Sequence, residues 1–399
     1  MKPRSRWLTP GVTGIGLASF LSDAGHEIVT SVLPNLLTVT LGAPAAALGL
    51  IEGISDGLAG GARLLGGALA DDPKRRRRLV VGGYSATAVL SGLIAFAAAV
   101  WQVGILRAGA WTARGLRVPA RNALLADIAP GAAYGRAFGF ERAMDNLGAI
   151  VGPAVTLALV ATFGVRTMIG LSVIPGLLAA AAIVYAVRQA PRDARRDRHP
   201  LRLQFRPATK GPLGRLMIGI GAFEVGNIAA TLLILRATEV LEGAHGRQGA
   251  TQIALTLYVV YNLSAALVSI PAGRLGDRLG TPFILAAGVT SFAVAYLGFA
   301  AGGGIAALGS FFVAAGIGIG CVETSEHAAV AAMAPQEARA SVFGVLAGVQ
   351  SVGNLAASGV AGLLWSAFSP RVAFLYLTAW MTASLVAIIS QWALLGRTS

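Results

Sequence analysis

The sequence predicts an all-α membrane protein: twelve transmembrane helices in two pseudo-symmetric six-helix bundles. Three observations predict it. Of 399 residues, 55% are hydrophobic, only 13% are charged and 52 are glycine, with a mean hydropathy of +0.69, which leaves no place outside lipid for so much apolar surface. The apolar runs are each long enough, at about 1.5 Å per residue, to cross about 30 Å of hydrocarbon. Finally, the halves repeat. Gly67-Ala-Leu-Ala-Asp71 returns 206 residues later as Gly273-Arg-Leu-Gly-Asp277, and Ala129-Pro130, Ala133 and Phe138-Gly139 return 205 residues later as Ala334-Pro335, Ala338 and Phe343-Gly344.

Taken in order, the apolar runs place spans 1 to 6 at 11–39, 47–69, 79–99, 103–127, 137–162 and 167–187, and spans 7 to 12 at 214–238, 249–272, 281–300, 304–332, 340–366 and 372–394. Residues 1–187 form the first bundle and 213–399 the second. The stretch 188–212 between them is polar, basic and Pro-containing, and is expected to be a cytoplasmic linker. The first apolar run is not followed by a small-residue cleavage site and is expected to be retained as a span.

A net charge of +14 raises the question of a nucleic-acid partner, but the basic residues are sorted by loop. Lys2, Arg4 and Arg6 precede span 1, Lys74 to Arg78 follow span 2, Arg136 follows span 4, Arg188 to Arg215 join the halves and Arg397 lies at the end. The alternate loops near 42–46, 100–101 and 301–303 hold no Lys or Arg. This asymmetry places both termini in the cytoplasm of a cell whose cytoplasmic (inner) membrane holds the chain. The expected partners are membrane lipid and a small-molecule substrate, with no nucleic acid, and the chain is expected to act as a monomer. The single cysteine, Cys321, falls inside span 10 and excludes an internal disulfide.

At the repeated loop the chain resembles the major facilitator superfamily of secondary transporters, and the resemblance covers nearly its whole length. The family's signature between spans 2 and 3 is matched by Gly67, Asp71, Arg75 and Arg76, with Asp72 and Lys74 departing from it. The second copy keeps Gly273, Asp277, Arg278 and Gly280 but has Thr281-Pro282 in place of the basic pair. In that setting Asp71 is either a latch that accepts hydrogen bonds from a neighbouring helix in one gate state or a polar turn that fixes topology. In span 5, Gly139, Gly148, Gly152 and Pro153 resemble the signature of the family's proton antiporters, although Thr156-Leu157 replace its closing glycines. Small residues at this spacing equally serve close helix packing. In span 4 the family's usual arginine position holds Trp111, so a relay role passes to Arg114 or Arg117.

A charge at the centre of a spanning helix costs roughly 2.5–3.5 kcal/mol, so clusters of them should face a cavity or one another. Asp23, His26 and Glu27 share one face of span 1 at i, i+3 and i+4. Arg114, Arg117 and Arg121 lie on span 4 near Pro119, and Glu323, Glu326 and His327 repeat the i, i+3, i+4 pattern on span 10. The resemblance implies that spans 1, 4, 7 and 10 line a central path, which would set the acidic face of span 1 toward the arginines. Glu224 and Asn227 on span 7 could complete the cavity. Glu52, Asp56 and Arg63 mark span 2, and Gln350 and Asn354 share a face of span 11. Glu141, Arg142 and Asp145 at the start of span 5 form a candidate cytoplasmic gate network, together with the loop pair Asp277 and Arg278.

No phosphate-cradling loop followed by lysine is present and no catalytic constellation competes, so the chain is not expected to be an enzyme. The expected function is secondary transport by alternating access, with proton-coupled export of a small organic compound and no cofactor besides the coupling proton. The alternatives are transport of a divalent metal ion, for which the two carboxylate and histidine sets are suitable donors, and uptake of an organic anion clamped by the arginines.

Overall fold

The computed structural model describes residues 7–190 and 204–395. Residues 191–203 of the expected linker, and the basic residues Lys2, Arg4, Arg6 and Arg397, lie outside the described residues. All regular structure among the described residues is helical. Two glycines separate helices that otherwise run on: Gly164 (φ 76°) within Tyr134–Leu171 and Gly246 (φ 67°) within Ala230–Leu279. Both have left-handed backbone, which a residue without Cβ adopts at no steric cost. With these breaks the described residues make twelve spans, at 10–40, 45–70, 73–96, 100–128, 134–163, 165–189, 211–245, 247–279, 281–301, 305–333, 339–367 and 370–395.

The chain forms two compact units: Met1–Ala137 with Met144–Phe205 and Ala334–Gly348, and Phe138–Ala143 with Arg206–Met333 and Val349–Ser399. Within the first, span 2 packs on span 4, span 1 on span 6, and span 3 on both 4 and 6. Within the second, span 8 packs on span 10, span 7 on span 12, and span 9 on both 10 and 12. The same pairing, advanced by six, is the sequence repeat expressed as packing. Equivalent glycines also make equivalent close approaches. A Cβ on Gly344 would lie 2.9 Å from the Arg63 carbonyl oxygen in the first unit, and one on Gly139 would lie 2.2 Å from the Ser269 carbonyl oxygen in the second.

Three boundaries differ from the sequence expectation. Span 3 starts at Pro73 rather than near 79, because the Asp72 side chain caps it by accepting from the Lys74 and Arg75 amides at 2.8 and 3.4 Å, with Pro73 at the first helical position. The basic run therefore occupies the first turns of a helix. Span 8 continues to Leu279, so Gly273 to Asp277 is helical. Span 7, expected as an unbroken helix over 214–238, is interrupted at 227–229 and extends to 245. The freed backbone groups find partners on other spans. Asn354 Nδ2 donates to the Asn227 carbonyl at 2.9 Å, Ser358 Oγ accepts the Ala229 amide at 2.9 Å, and Tyr296 Oη accepts the Ile228 amide at 3.4 Å.

Candidate functional site

Among the described residues seven helical stretches are long and apolar enough to cross a membrane, and none of them includes span 1, 2 or 4. Those three carry Asp23, His26 and Glu27; Glu52, Asp56 and Arg63; and Arg107, Arg114, Arg117 and Arg121. All lie in the first unit, where spans 2 and 4 pack along their lengths.

Span 4 runs antiparallel to span 1 and hangs its arginines on it one after another. Arg114 Nη2 donates to Asp23 Oδ1 at 2.7 Å, Arg117 Nη2 to Ser22 Oγ at 2.7 Å, and Arg121 Nη1 to Ser19 Oγ at 3.0 Å. The Arg117 guanidinium lies 3.8 Å from the Tyr84 ring centroid, a cation–π contact that desolvation strengthens. Arg121 also donates to Asn122 Oδ1 at 3.2 Å and stands 3.9 Å from Asp145 of span 5. Asp23 is 7% exposed and Arg117 is 4% exposed, so these pairs sit away from bulk water.

A second cluster lies further along span 4. Arg107 is 1% exposed; it grips Glu52 with Nε and Nη2 at 3.1 and 3.2 Å and donates from Nη2 to Thr30 Oγ1 at 3.2 Å. Its guanidinium lies 3.7 Å from the Trp111 ring centroid. The Trp111 indole N–H donates to Asp56 Oδ1 at 2.6 Å, and its ring stands 4.3 Å from that of His26. His26 Nε2 is 3.6 Å from Glu27 Oε1. Trp111 thus contacts both an arginine and the span 1 histidine. The Nη1 atoms of Arg107, Arg114 and Arg117 and Nδ1 of His26 are buried without a hydrogen-bond partner among the described residues.

Of the span 5 glycine pattern, Gly148 and Gly152 seat that helix directly on the acidic turn of span 1, whereas Gly139 packs on Ser269 of span 8. A Cβ on Gly148 would lie 2.6 Å from the Phe20 carbonyl and 3.0 Å from Asp23 Cβ; one on Gly152 would lie 2.6 Å from both the Ala24 carbonyl and Glu27 Cβ. Pro153 follows within the same helix.

At the loop end of span 2, Asp71 accepts from both the backbone amide of Ser341, at 3.0 Å, and its hydroxyl, in the first turn of span 11. A carboxylate there answers a free helix N-terminal donor and the positive end of the helix dipole. Burial holds the Asp71 carboxyl above its ordinary range, and the bonds from Ser341 oppose that shift. Gly67 lets span 11 approach, since its Cβ would fall 2.7 Å from the Ala340 carbonyl. Nearby, Arg76 pairs with Asp127, which also faces Arg339 at 3.6 Å. Arg75 turns instead to Asp72, at 3.7 Å.

In the second unit, Glu224 accepts from Asn227 Nδ2 at 3.1 Å immediately before the break in span 7. Glu326 is fully buried and accepts from Gln350, with Oε2 left without a hydrogen-bond partner among the described residues. His327 Nδ1 donates to the Glu323 carbonyl at 2.7 Å, and its ring stacks at 5.8 Å on Phe138. The carbonyl only accepts, so Nδ1 carries the proton. Arg142 forks onto Glu141 at 2.8 and 2.9 Å and reaches Glu323 at 3.5 Å. The expected gate trio is therefore divided: Glu141 and Arg142 join span 10, while Asp145 faces Arg121 in the first unit. Asp277 is half-buried and Arg278 exposed at the end of span 8.

Sequence reasoning missed Arg107, Thr30, Tyr84 and the span 1 serines. Arg107 had a signal, since it precedes Arg114 by seven residues and so shares its helix face. The hydroxyls had none.

The model for the Major Facilitator Superfamily matches residues 15–241 and 243–397. An uncharacterised MFS-type transporter of Methanocaldococcus jannaschii is 28% identical over 395 residues, covering 98% of this chain and 95% of the relative. An uncharacterised protein of Mycobacterium tuberculosis is 26% identical over 368 residues, covering 89% of this chain and 86% of its own length. Among solved structures, a bacterial homologue of the iron transporter ferroportin in an outward-facing state has a TM-score of 0.77 at 15% identity, with 96% of this chain and 99% of that one covered. The human organic anion transporter MFSD10 has a TM-score of 0.71 at 15% identity, with 95% and 99% covered. At such identity these two establish the fold alone.

Proposed function

Because the chain belongs to the Major Facilitator Superfamily and is an integral membrane transporter, we propose that it exports a small organic compound by alternating access, coupled to protons. The observation that carries this reading is the Arg114–Asp23 pair, set beside Glu27 and His26 on one turn of span 1. A proton on Asp23 cancels the charge that holds Arg114, and a guanidinium released from its carboxylate is free for substrate or for Glu27. The proton and the substrate then compete for one set of partners, which is the chemical requirement for exchange. The sorted basic loops support a cytoplasmic membrane with both termini inside, where the gradient would drive export.

The unpartnered Nη1 atoms of Arg107, Arg114 and Arg117 favour a second reading, transport of an organic anion, because buried guanidinium donors bind carboxylate or phosphate in forked geometry. The same arginines flank His26 and Asp23 and would repel a divalent metal ion. The test is substrate movement into proteoliposomes under an imposed pH gradient, across a panel of neutral, cationic and anionic organic compounds. Gradient-dependent movement that is lost in Asp23→Asn and Glu27→Gln supports proton exchange. Movement indifferent to the gradient, with both variants behaving as wild type, overturns it, and the charge of the compounds moved decides between the two substrate readings.

A further inference from the structure

A groove of about 350 Å³ lies between spans 2, 3 and 4 of the first unit and, of the residues described above for the candidate site, takes in only Arg75, which stands 3.7 Å from Asp72. Span 3 gives it Leu79, Gly82 and Ala86, one above the other at i, i+3 and i+7; span 4 gives Ala113 and Leu116, and span 2 gives Leu69. Arg75 and Arg78 line the end nearest the loop. From Arg78 to Ala86 is eight residues, about 12 Å of helix. The groove is thus a hydrocarbon slot open at the surface, with two guanidinium groups at one end.

Its depth has a specific origin. Gly82 is exposed, and a Cβ there would meet nothing within 4 Å, so the missing side chain itself leaves the slot empty. Gly83 beside it is closed instead, its Cβ position lying 2.5 Å from Arg117 Cβ. The basic pair is placed by the Asp72 cap, which starts the helix at Pro73 and so brings Arg75 and Arg78 onto its first turns. The repeat does not duplicate this. The counterparts of Arg75 and Arg78 in the second half are Thr281 and Ile284.

We propose that this groove binds one anionic glycerophospholipid, with an acyl chain along Leu79, Gly82 and Ala86 and the phosphate on Arg75 and Arg78. Arginine stems lie along apolar surface while their heads stay at headgroup level, and each basic residue near an anionic membrane surface contributes about fivefold in affinity. A zwitterionic lipid satisfies the slot but not the pair, and free phosphate satisfies the pair but not the slot.

Native mass spectrometry of the full chain, delipidated in detergent and titrated with phosphatidylglycerol or phosphatidylcholine, tests this. The expected result is a single tightly retained phosphatidylglycerol that millimolar inorganic phosphate does not displace. Binding should weaken roughly thirtyfold in Arg75→Gln/Arg78→Gln and also in Gly82→Leu and Ala86→Phe, which fill the slot without changing charge. Arg278→Gln, at the corresponding end of span 8, should leave it unchanged. Equal retention of phosphatidylcholine, displacement by phosphate, or wild-type binding in either the charge or the filling variants would overturn the proposal.

Discussion

Arg114 of span 4 and Asp23 of span 1 form an ion pair at 2.7 Å in which the carboxylate is almost wholly buried. Its two partners come from helices 91 residues apart in sequence, so the pair ties span 1 to span 4 at the level of the candidate site. A hydrogen bond to a charged group contributes about 1.5–3 kcal/mol. Asp23→Asn and Arg114→Gln should each lower stability by about that much, and the double variant should cost at least about 1 kcal/mol less than their sum. Thermal unfolding in detergent measures the cycle, and additivity within about 0.5 kcal/mol would show that the two groups are not coupled.

Arg107 should not tolerate lysine. Its fork on Glu52 and its face over Trp111 both depend on a planar guanidinium. Lysine keeps the charge but replaces the planar fork with a compact ammonium, so Arg107→Lys should cost about 2 kcal/mol and free the indole ring beside His26. Tryptophan fluorescence of a variant retaining Trp111 alone should shift on the lysine substitution, and an unchanged spectrum with unchanged stability would refute the stacking role.

The legible parts of the site were those written in local spacing. Asp23, His26 and Glu27 announce one helix face, and charges inside an apolar run cannot be incidental when each is so costly. The repeat likewise appears in sequence as the shared loop signature and in space as the same helix pairing. What could not be read depends on partners from distant spans. Ser19 and Ser22 carry no charge to mark them as the seats of Arg121 and Arg117. The break in span 7 is stabilised by Tyr296, Asn354 and Ser358, each more than sixty residues away, while the local sequence around Asn227 keeps an apolar run that suits an unbroken helix. The division of Glu141 and Arg142 from Asp145 is equally nonlocal, since all three share one short stretch of chain and differ only in what faces them.

Asp71 should protect the first turn of span 11. Its carboxylate takes the Ser341 amide and hydroxyl, a capping arrangement worth about 1 kcal/mol. Asp71→Ala should therefore raise hydrogen exchange at residues 339–343 about fivefold, after correction for intrinsic rates. The pH dependence has a definite sign. Burial holds the Asp71 carboxyl above its ordinary value, so the buried arrangement binds more protons than one that exposes the group. It therefore gains stability as pH falls through the buried-state pKa toward the ordinary value, and that gain is lost as pH rises back through the buried-state pKa. Protection unaffected by Asp71→Ala would contradict the capping role, and protection that rises with pH across this window would mean that the bonds from Ser341 outweigh the cost of burial.

The span 5 glycines should matter through what they touch rather than through helix flexibility. Gly152→Ala drives a Cβ to 2.6 Å from the Ala24 carbonyl and from the stem of Glu27, an overpacking that costs about 1–3 kcal/mol because the neighbouring backbone cannot yield cheaply. Gly61→Ala is the matched control: that glycine also lies within a helix, but its Cβ would meet nothing within 4 Å, and the loss of backbone freedom in the unfolded chain should make it stabilising by about 0.5–1 kcal/mol. Since Gly152 rests on the turn carrying Glu27, its substitution should also displace the pH profile of transport, whereas Gly61→Ala should leave the profile in place. Equal effects of the two alanines on both stability and profile would mean that span 5 contributes only generic packing, and the antiporter-like spacing of Gly139, Gly148 and Gly152 would then carry no mechanistic weight in this chain.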